Sequence, residues 1–286
     1  MSDPEPFLDR AARRLRRDGW LVSKSMRQRL ARLGNPSMPK LTVFVAGLQR
    51  SGTNMLMDAY ERSPETDVYH ESDTRAFREY QLREVPVLRR LVDGSPARVV
   101  VVKALLDGER VRALMDEFAP AKAIWMFRHF SDVINSNMVN WRGGRNQIED
   151  IVRDRNAGDW RGRGMTDETH EMVKRHFKPG MNDASALALF YVYRHQLFFD
   201  QALESDPRVC LMNYEELVST PDQAIPEVAA FSDLQLNPRM WSHIHARSIN
   251  RAPSPEVSED IAELAEAMYQ RLLAARRDKA GQSQAA

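Results

Sequence analysis

Leu41-Thr42-Val43-Phe44-Val45-Ala46 runs directly into Gly47-Leu48-Gln49-Arg50-Ser51-Gly52-Thr53-Asn54. The first six residues form a short apolar run rich in β-branched side chains, the pattern of a strand buried between two layers. A turn with two glycines follows, and residues 53–63 then have the length and polar face of a helix. Strand, Gly-rich turn and helix N-terminus together make an anion site, because backbone N–H groups converge there and the helix dipole favours negative charge.

Outward from this unit the same alternation repeats. Arg98–Lys103, Ala121–Phe127 and Arg208–Met212 read as strands, and 53–63, 74–92 and 107–118 have helix length. Helices are expected at 183–204, 221–234 and 258–276. The expected fold is α/β and P-loop NTPase-like: a single domain with a central, mostly parallel sheet of about five strands, flanked by helices and joined by right-handed crossovers. The domain is placed at residues 39–276. Within it, 141–183 is dominated by Arg, Gly and Asp and reads as a lid-like insertion with one short helix near Thr166–Phe177. Residues 277–286 are expected to be a frayed tail.

Residues 1–38 form a basic arm. Nine Arg or Lys and two acids lie between Asp9 and Leu33, and Val22, Met26, Leu30 and Leu33 recur at helical spacing. Two readings stand: a solvated helix packed on the body by that stripe, or an arm that meets a membrane surface or a partner.

Composition bounds the rest. The chain has 286 residues, 43% hydrophobic and 28% charged, which suits a globular protein with a sizeable core. A net charge of +1 implies no bulk attraction to nucleic acid or to an anionic membrane. One cysteine, Cys210, excludes an intrachain disulfide and a Cys-rich zinc site. No apolar run is long enough to span a membrane, and the first residues lack the apolar core of a secretory leader, so a cytoplasmic protein is expected.

Gly47 and Gly52 have the spacing of a nucleotide P-loop, but the Lys and Ser/Thr that follow its second glycine are replaced by Thr53 and Asn54. The loop can hold a phosphate and lacks the usual lysine and magnesium hydroxyl, which disfavours an ATP-dependent kinase. Downstream, Arg128 ends a strand and begins Arg128-His129-Phe130-Ser131-Asp132-Val133-Ile134-Asn135-Ser136. Arg128 therefore lies at the crevice where open α/β sheets bind ligands, with a guanidinium fork suited to phosphate.

With both elements in view, the chain resembles the sulfotransferases that use 3′-phosphoadenosine 5′-phosphosulfate (PAPS). That family opens with (P)-[KR]-S-G-T-T, here Gln49-Arg50-Ser51-Gly52-Thr53-Asn54. Its second motif is R-x-P-x-D-x-x-x-S, here with Phe130 in place of Pro. Asn213-Tyr214-Glu215-Glu216-Leu217 is similar to a third, R-Y-E-D-L. The resemblance implies that Arg50, Ser51, Gly52, Thr53 and Asn54 hold the 5′-phosphosulfate and that Arg128 and Ser136 hold the 3′-phosphate. It also implies that Arg247 and Ser248 lie in a loop covering the nucleotide. PAPS is then the donor, and no metal is required.

One branch of the family places a His base two positions after a strand-ending Lys; here Lys103-Ala104-Leu105 puts leucine there. Another branch uses a Glu just after the second strand, the place of Glu71 in Asp67-Val68-Tyr69-His70-Glu71. Glu71 is the expected base, with His70 as the alternative base or acceptor contact. Arg50 and Lys103 are the candidates for the cation that meets the leaving phosphate. Trp141 and Trp160, with His170 and His176, are candidate acceptor contacts beside the insertion. His243 and His245 read as surface rather than as a metal site. The acceptor is expected to be a small molecule or carbohydrate offering a hydroxyl or amine. An atypical P-loop nucleotide kinase and a non-catalytic nucleotide-binding module remain the alternatives.

Overall fold

Strands that are apolar on both faces need a layer on each side, and the computed structural model supplies both. It describes the backbone of residues 7–140, 144–244 and 252–285, and the side chains of 19–139, 147–244 and 252–281. In chain order the elements are α1 (Phe7–Gly34), β1 (Leu41–Gly47), α2 (Thr53–Glu61), β2 (Thr66–Tyr69), the short strands β3 (Phe77–Arg78) and β4 (Gln81–Leu82), and α3 (Val85–Gly94). Then come β5 (Val99–Lys103), α4 (Val111–Glu117), β6 (Ala121–Phe127), α5 (Phe130–Asn140), α6 (Gly144–Arg153), α7 (Asp167–His176) and α8 (Asp183–Asp200). β7 (Val209–Asn213), α9 (Tyr214–Ser219), α10 (Pro221–Phe231) and α11 (Glu259–Ala285) close the chain.

The main sheet has five strands in the order β2-β5-β1-β6-β7, and every neighbouring pair is parallel. Successive side chains of each strand point to opposite faces. Phe44, Val100, Val102 and Trp125 pack into one core with Leu187, Tyr191 and Phe198 of α8. Val43, Val45, Val101 and Ile124 pack into the other with Leu56, Met57 and Tyr60 of α2 and Val228 of α10. β1 is buried at all seven positions. The C-terminal ends of β5, β1 and β6 therefore lie side by side, and the loops leaving them define the crevice of an open α/β sheet.

Local chemistry fixes several helix starts. Thr166 accepts from Thr169 N to begin α7, Asn182 from Ser185 N to begin α8, and Asn213 from Glu216 N to begin α9. In α7, Asp167 and Glu168 occupy the first turn and Lys174, Arg175 and His176 the last, complementing the helix dipole.

Four regions depart from the sequence reading. The helix expected over 74–92 is instead the antiparallel β3–β4 hairpin followed by α3. Glu79 and Tyr80, at its turn, adopt φ of 50° and 66°, a conformation whose usual Asn-Gly signature is missing. The 141–183 stretch holds α6 as well as α7, and Ile148, Ile151, Trp160 and Val173 join the main core. The tail expected to fray from 277 continues as helix to Ala285. Finally, α1 packs by its polar face: Lys24 and Gln28 are buried, while Val22, Met26, Leu30 and Leu33 are exposed.

Candidate functional site

The turn after β1 is shaped by two close approaches. Gly47 has φ 126°, and a Cβ there would collide with the Met126 carbonyl of neighbouring β6. Gly52 has φ 89°, and a Cβ there would collide with the Tyr214 ring. Arg50, between them, is also left-handed at φ 68°, a cost that a non-glycine residue carries mostly at functional sites. The turn delivers the chain into α2, whose first N–H groups have no intrahelical acceptor. Ser51 is fully buried, and its hydroxyl has no hydrogen-bond partner among the described residues; both amide atoms of buried Gln49 are in the same state. Buried polar groups are normally paired. Unpaired donors at a helix N-terminus fit an anion seated in this loop.

A cavity of about 660 Å³ opens beside it, lined by Arg50, Gly52, Thr53, Asn54, Arg128 and Ser136, together with Tyr214. Arg50 Nε donates to Ser136 Oγ at 2.7 Å, so the α5 serine expected to join Arg128 around one anion is bonded to Arg50. Arg128, at the end of β6, donates to Asp132 Oδ2 at 2.8 Å and lies 4.3 Å above the centre of the Tyr214 ring. Tyr191 donates to the Arg128 carbonyl at 3.1 Å. Burial holds that phenol well above its ordinary pKa, so it remains a donor. Tyr214 thus locks Gly52 and supports Arg128 at once. Its role was not read from the sequence, although the Asn213-Tyr214-Glu215-Glu216-Leu217 motif after β7 carries the signal.

A second cavity, about 490 Å³, is lined by Glu71, Lys103, Trp160, Tyr80, Gln49 and Leu105, and it shares Arg50, Thr53 and Asn54 with the first. Lys103, buried at the end of β5, donates to Glu71 Oε2 at 2.5 Å and to Asn54 Oδ1 at 2.7 Å. Asn54, standing where the family motif has Thr, therefore orients the lysine through its amide oxygen. Trp160 is gripped by two guanidinium groups, Arg161 at 4.7 Å and Arg194 at 5.2 Å from its ring centre. The β3–β4 hairpin forms the opposite wall, anchored by Leu82 N donating to Asp107 Oδ2 at 2.8 Å. Glu79, Gln81, Asp159 and Arg161 add polar groups to this cavity that the sequence did not single out.

The remaining candidates lie elsewhere. His70 lines a groove between α1 and β2 rather than the cavity that holds Glu71. It approaches Asp58 and Glu61, their ligand atoms all within 4.8 Å of one another. His170 bonds the Ile151 carbonyl at 2.8 Å and so ties α7 to α6. Trp141, His245, Arg247 and Ser248 lie outside the described residues. No described helix is long and apolar enough to cross a membrane.

No curated protein sequence matches the chain. Among solved structures it is similar to the sulfotransferase domain of the Synechococcus PCC 7002 olefin synthase, at 14% identity over 81% of this chain and 95% of that one, with a TM-score of 0.45. The sulfotransferase domain from the curacin biosynthetic pathway is similar at 14% identity over 82% and 97%, TM-score 0.46. Mouse sulfotransferase SULT7A1 complexed with PAP is similar at 13% over 79% and 63%, TM-score 0.39. The model of the sulfotransferase domain matches residues 40–268, a span that includes the whole sheet and both cavities, and on that match the chain is a sulfotransferase of this family.

Proposed function

We propose that this sulfotransferase takes PAPS as donor and transfers its sulfuryl group in line to a hydroxyl or amine, with Glu71 as the base. One observation carries the reading: two cavities meet at the N-terminus of α2, and the Glu71–Lys103 pair stands on the second of them. Arg128 and Ser136 are assigned to the 3′-phosphate. Arg50, Ser51, Gly52, Thr53 and Asn54 are assigned to the phosphosulfate. PAPS supplies the sulfuryl group and its own leaving phosphate; the protein's part is to orient both partners and meet developing charge.

Lys103 has two roles in this scheme. In the structure it holds Glu71 and Asn54 together. During transfer its ammonium group stabilises the charge gathering on the leaving phosphate, while Glu71 accepts the acceptor's proton. The second cavity supports a hydroxyl-rich acceptor, a carbohydrate or other small metabolite. Tyr80 offers a ring face, Trp160 closes the wall beneath Arg161 and Arg194, and Gln49, Glu79, Gln81, Asp159 and Arg161 offer hydrogen bonds.

Thermal unfolding tests the donor assignment. A ligand that binds only the native state stabilises it by RT ln(1 + [L]/Kd). 3′-Phosphoadenosine 5′-phosphate is expected to raise the melting temperature, ATP with Mg²⁺ to raise it little, and Arg128→Ala to remove the first shift. A shift with ATP and Mg²⁺ alone overturns the donor assignment.

A further inference from the structure

We propose that α1 is an interfacial anchor that lays its outer face on an anionic lipid surface. The observation is the way this helix is turned. Lys24 Nζ donates to the Glu61 carbonyl at 2.8 Å and to Thr66 Oγ1 at 3.0 Å. Gln28 Nε2 donates to the Pro64 carbonyl at 2.9 Å and the Thr66 carbonyl at 2.8 Å. Trp20 Nε1 donates to the Glu61 carbonyl and its ring faces Arg239. These bonds pin the polar face of α1 to the edge strand β2 and to the end of α2, so the helix cannot roll its apolar stripe inward without leaving buried carbonyls unpaired.

The stripe is consequently presented to solvent. Val22 is 62% exposed, Met26 61%, Leu30 67% and Leu33 77%, and these four make up half of the eight large exposed hydrophobics among the described residues. At 3.6 residues per turn they fall in a sector roughly 80° wide, on the side of the helix away from Lys24 and Gln28. Soluble surfaces scatter such residues singly; a contiguous row marks an interaction site.

Charge selects the partner. Arg27 and Arg29 are exposed beside the stripe, and apart from Lys24, which is turned inward, the sequence from Asp9 to Leu33 holds eight basic residues against two acidic ones, in a chain whose net charge is only +1. A second copy of the chain docked on this face would bring like-charged helices together. An anionic headgroup layer neutralises the arginines while the acyl boundary receives Val22, Met26, Leu30 and Leu33. The anchor is independent of the sulfuryl-transfer site and of its donor.

Co-sedimentation of the full chain with phosphatidylcholine vesicles, with and without phosphatidylglycerol, tests this. Binding is expected only to the mixed vesicles and is expected to weaken as salt screens the arginines. Met26→Asp with Leu30→Asp is expected to lower it about tenfold or more, and Arg27→Glu with Arg29→Glu to a similar extent. These side chains are exposed, so the melting temperature of each variant serves as the folding control. Absence of vesicle binding, equal binding to both vesicle types, or binding indifferent to the Asp substitutions overturns the proposal. A concentration-dependent dimer in analytical ultracentrifugation that the Asp substitutions dissolve, with no vesicle binding, also overturns it and gives the face to a second copy.

Discussion

Glu71 and Lys103 pair across two strand ends, and in the proposed reaction each depends on the other. The lysine is buried, with its side chain 3% exposed, and a buried ammonium group is tolerated only where it is paired. Removing its carboxylate partner therefore affects more than proton transfer. Glu71→Gln keeps an oxygen for Lys103 and removes the proposed base. It is expected to lower kcat by about 10²–10⁴-fold. The stabilisation by 3′-phosphoadenosine 5′-phosphate should remain, a split that kinetics and thermal unfolding measure together. Gly52→Ala makes the opposite prediction. Its Cβ would meet the Tyr214 ring at a backbone φ of 89°, so the loop or the ring must move. Strained left-handed backbone at a non-glycine residue costs about 1–3 kcal/mol. A lowered melting temperature and loss of the bisphosphate shift are expected together; an unchanged shift would refute the tight placement of Tyr214. Lys103 and Arg128 were legible as strand-end positions because charged residues there stand out against apolar runs, whereas Glu71, after the half-polar β2, was singled out only through the family resemblance. Gln49 and Tyr80 were not legible, because nothing in their spacing says that one is a buried amide with no partner among the described residues and the other a hairpin tip.

At the scale of elements, the long buried strands were readable and the short or half-polar elements were not. β1, β5, β6 and β7 are continuous apolar runs, which only a covered parallel sheet accommodates. The β3–β4 hairpin has two-residue strands and a turn without glycine or asparagine, so no local signal separated it from a helix. For α1, helical spacing was visible, but the docked face was set by hydrogen bonds to β2 that no periodicity encodes. Gln28→Ala is expected to uncover that edge, leaving two carbonyls unpaired at about 1–3 kcal/mol each. Hydrogen exchange should then speed up in α1 and β2 and stay unchanged in β1. The C-terminal helix gives a second test. Lys279 is buried and donates to the Asp206 carbonyl at 2.8 Å, next to the start of β7. Arg276, a turn earlier, is bonded to Glu216 and Glu227. Deleting residues 277–286 is expected to lower the melting temperature measurably; a frayed tail would be removed without effect.

Across the whole molecule, two cores on opposite faces of one sheet must form together, so a single buried group can set the stability of the entire fold. His195 of α8 is such a group. It is fully buried under β6, its Nδ1 accepts from Trp125 Nε1 at 3.2 Å, and Tyr191 packs edge-on against its ring. The Trp125 bond requires an unprotonated Nδ1, leaving Nε2 to carry the proton in the neutral ring. Burial, reinforced by the neighbouring Arg194, pushes its pKa down to about 3. The unfolded chain takes up a proton near the ordinary histidine value of about 6.5, whereas the folded chain stays neutral well below it. Between those values the unfolded state binds more protons, so stability falls as pH drops through that window and is restored as pH rises above it. The slope from this one group approaches about 1.4 kcal/mol per pH unit. Carboxylates such as Asp206, held low by bonds to Arg208, contribute their own acid loss, but that part is common to wild type and variant. His195→Gln offers Trp125 a neutral acceptor and no proton site. Its melting temperature is expected to start lower near neutral pH and to decline less steeply on acidification than that of the wild type. Parallel declines would show that His195 is protonated without penalty in the folded chain, and that its burial between β6 and α8 does not govern the acid limit of the fold.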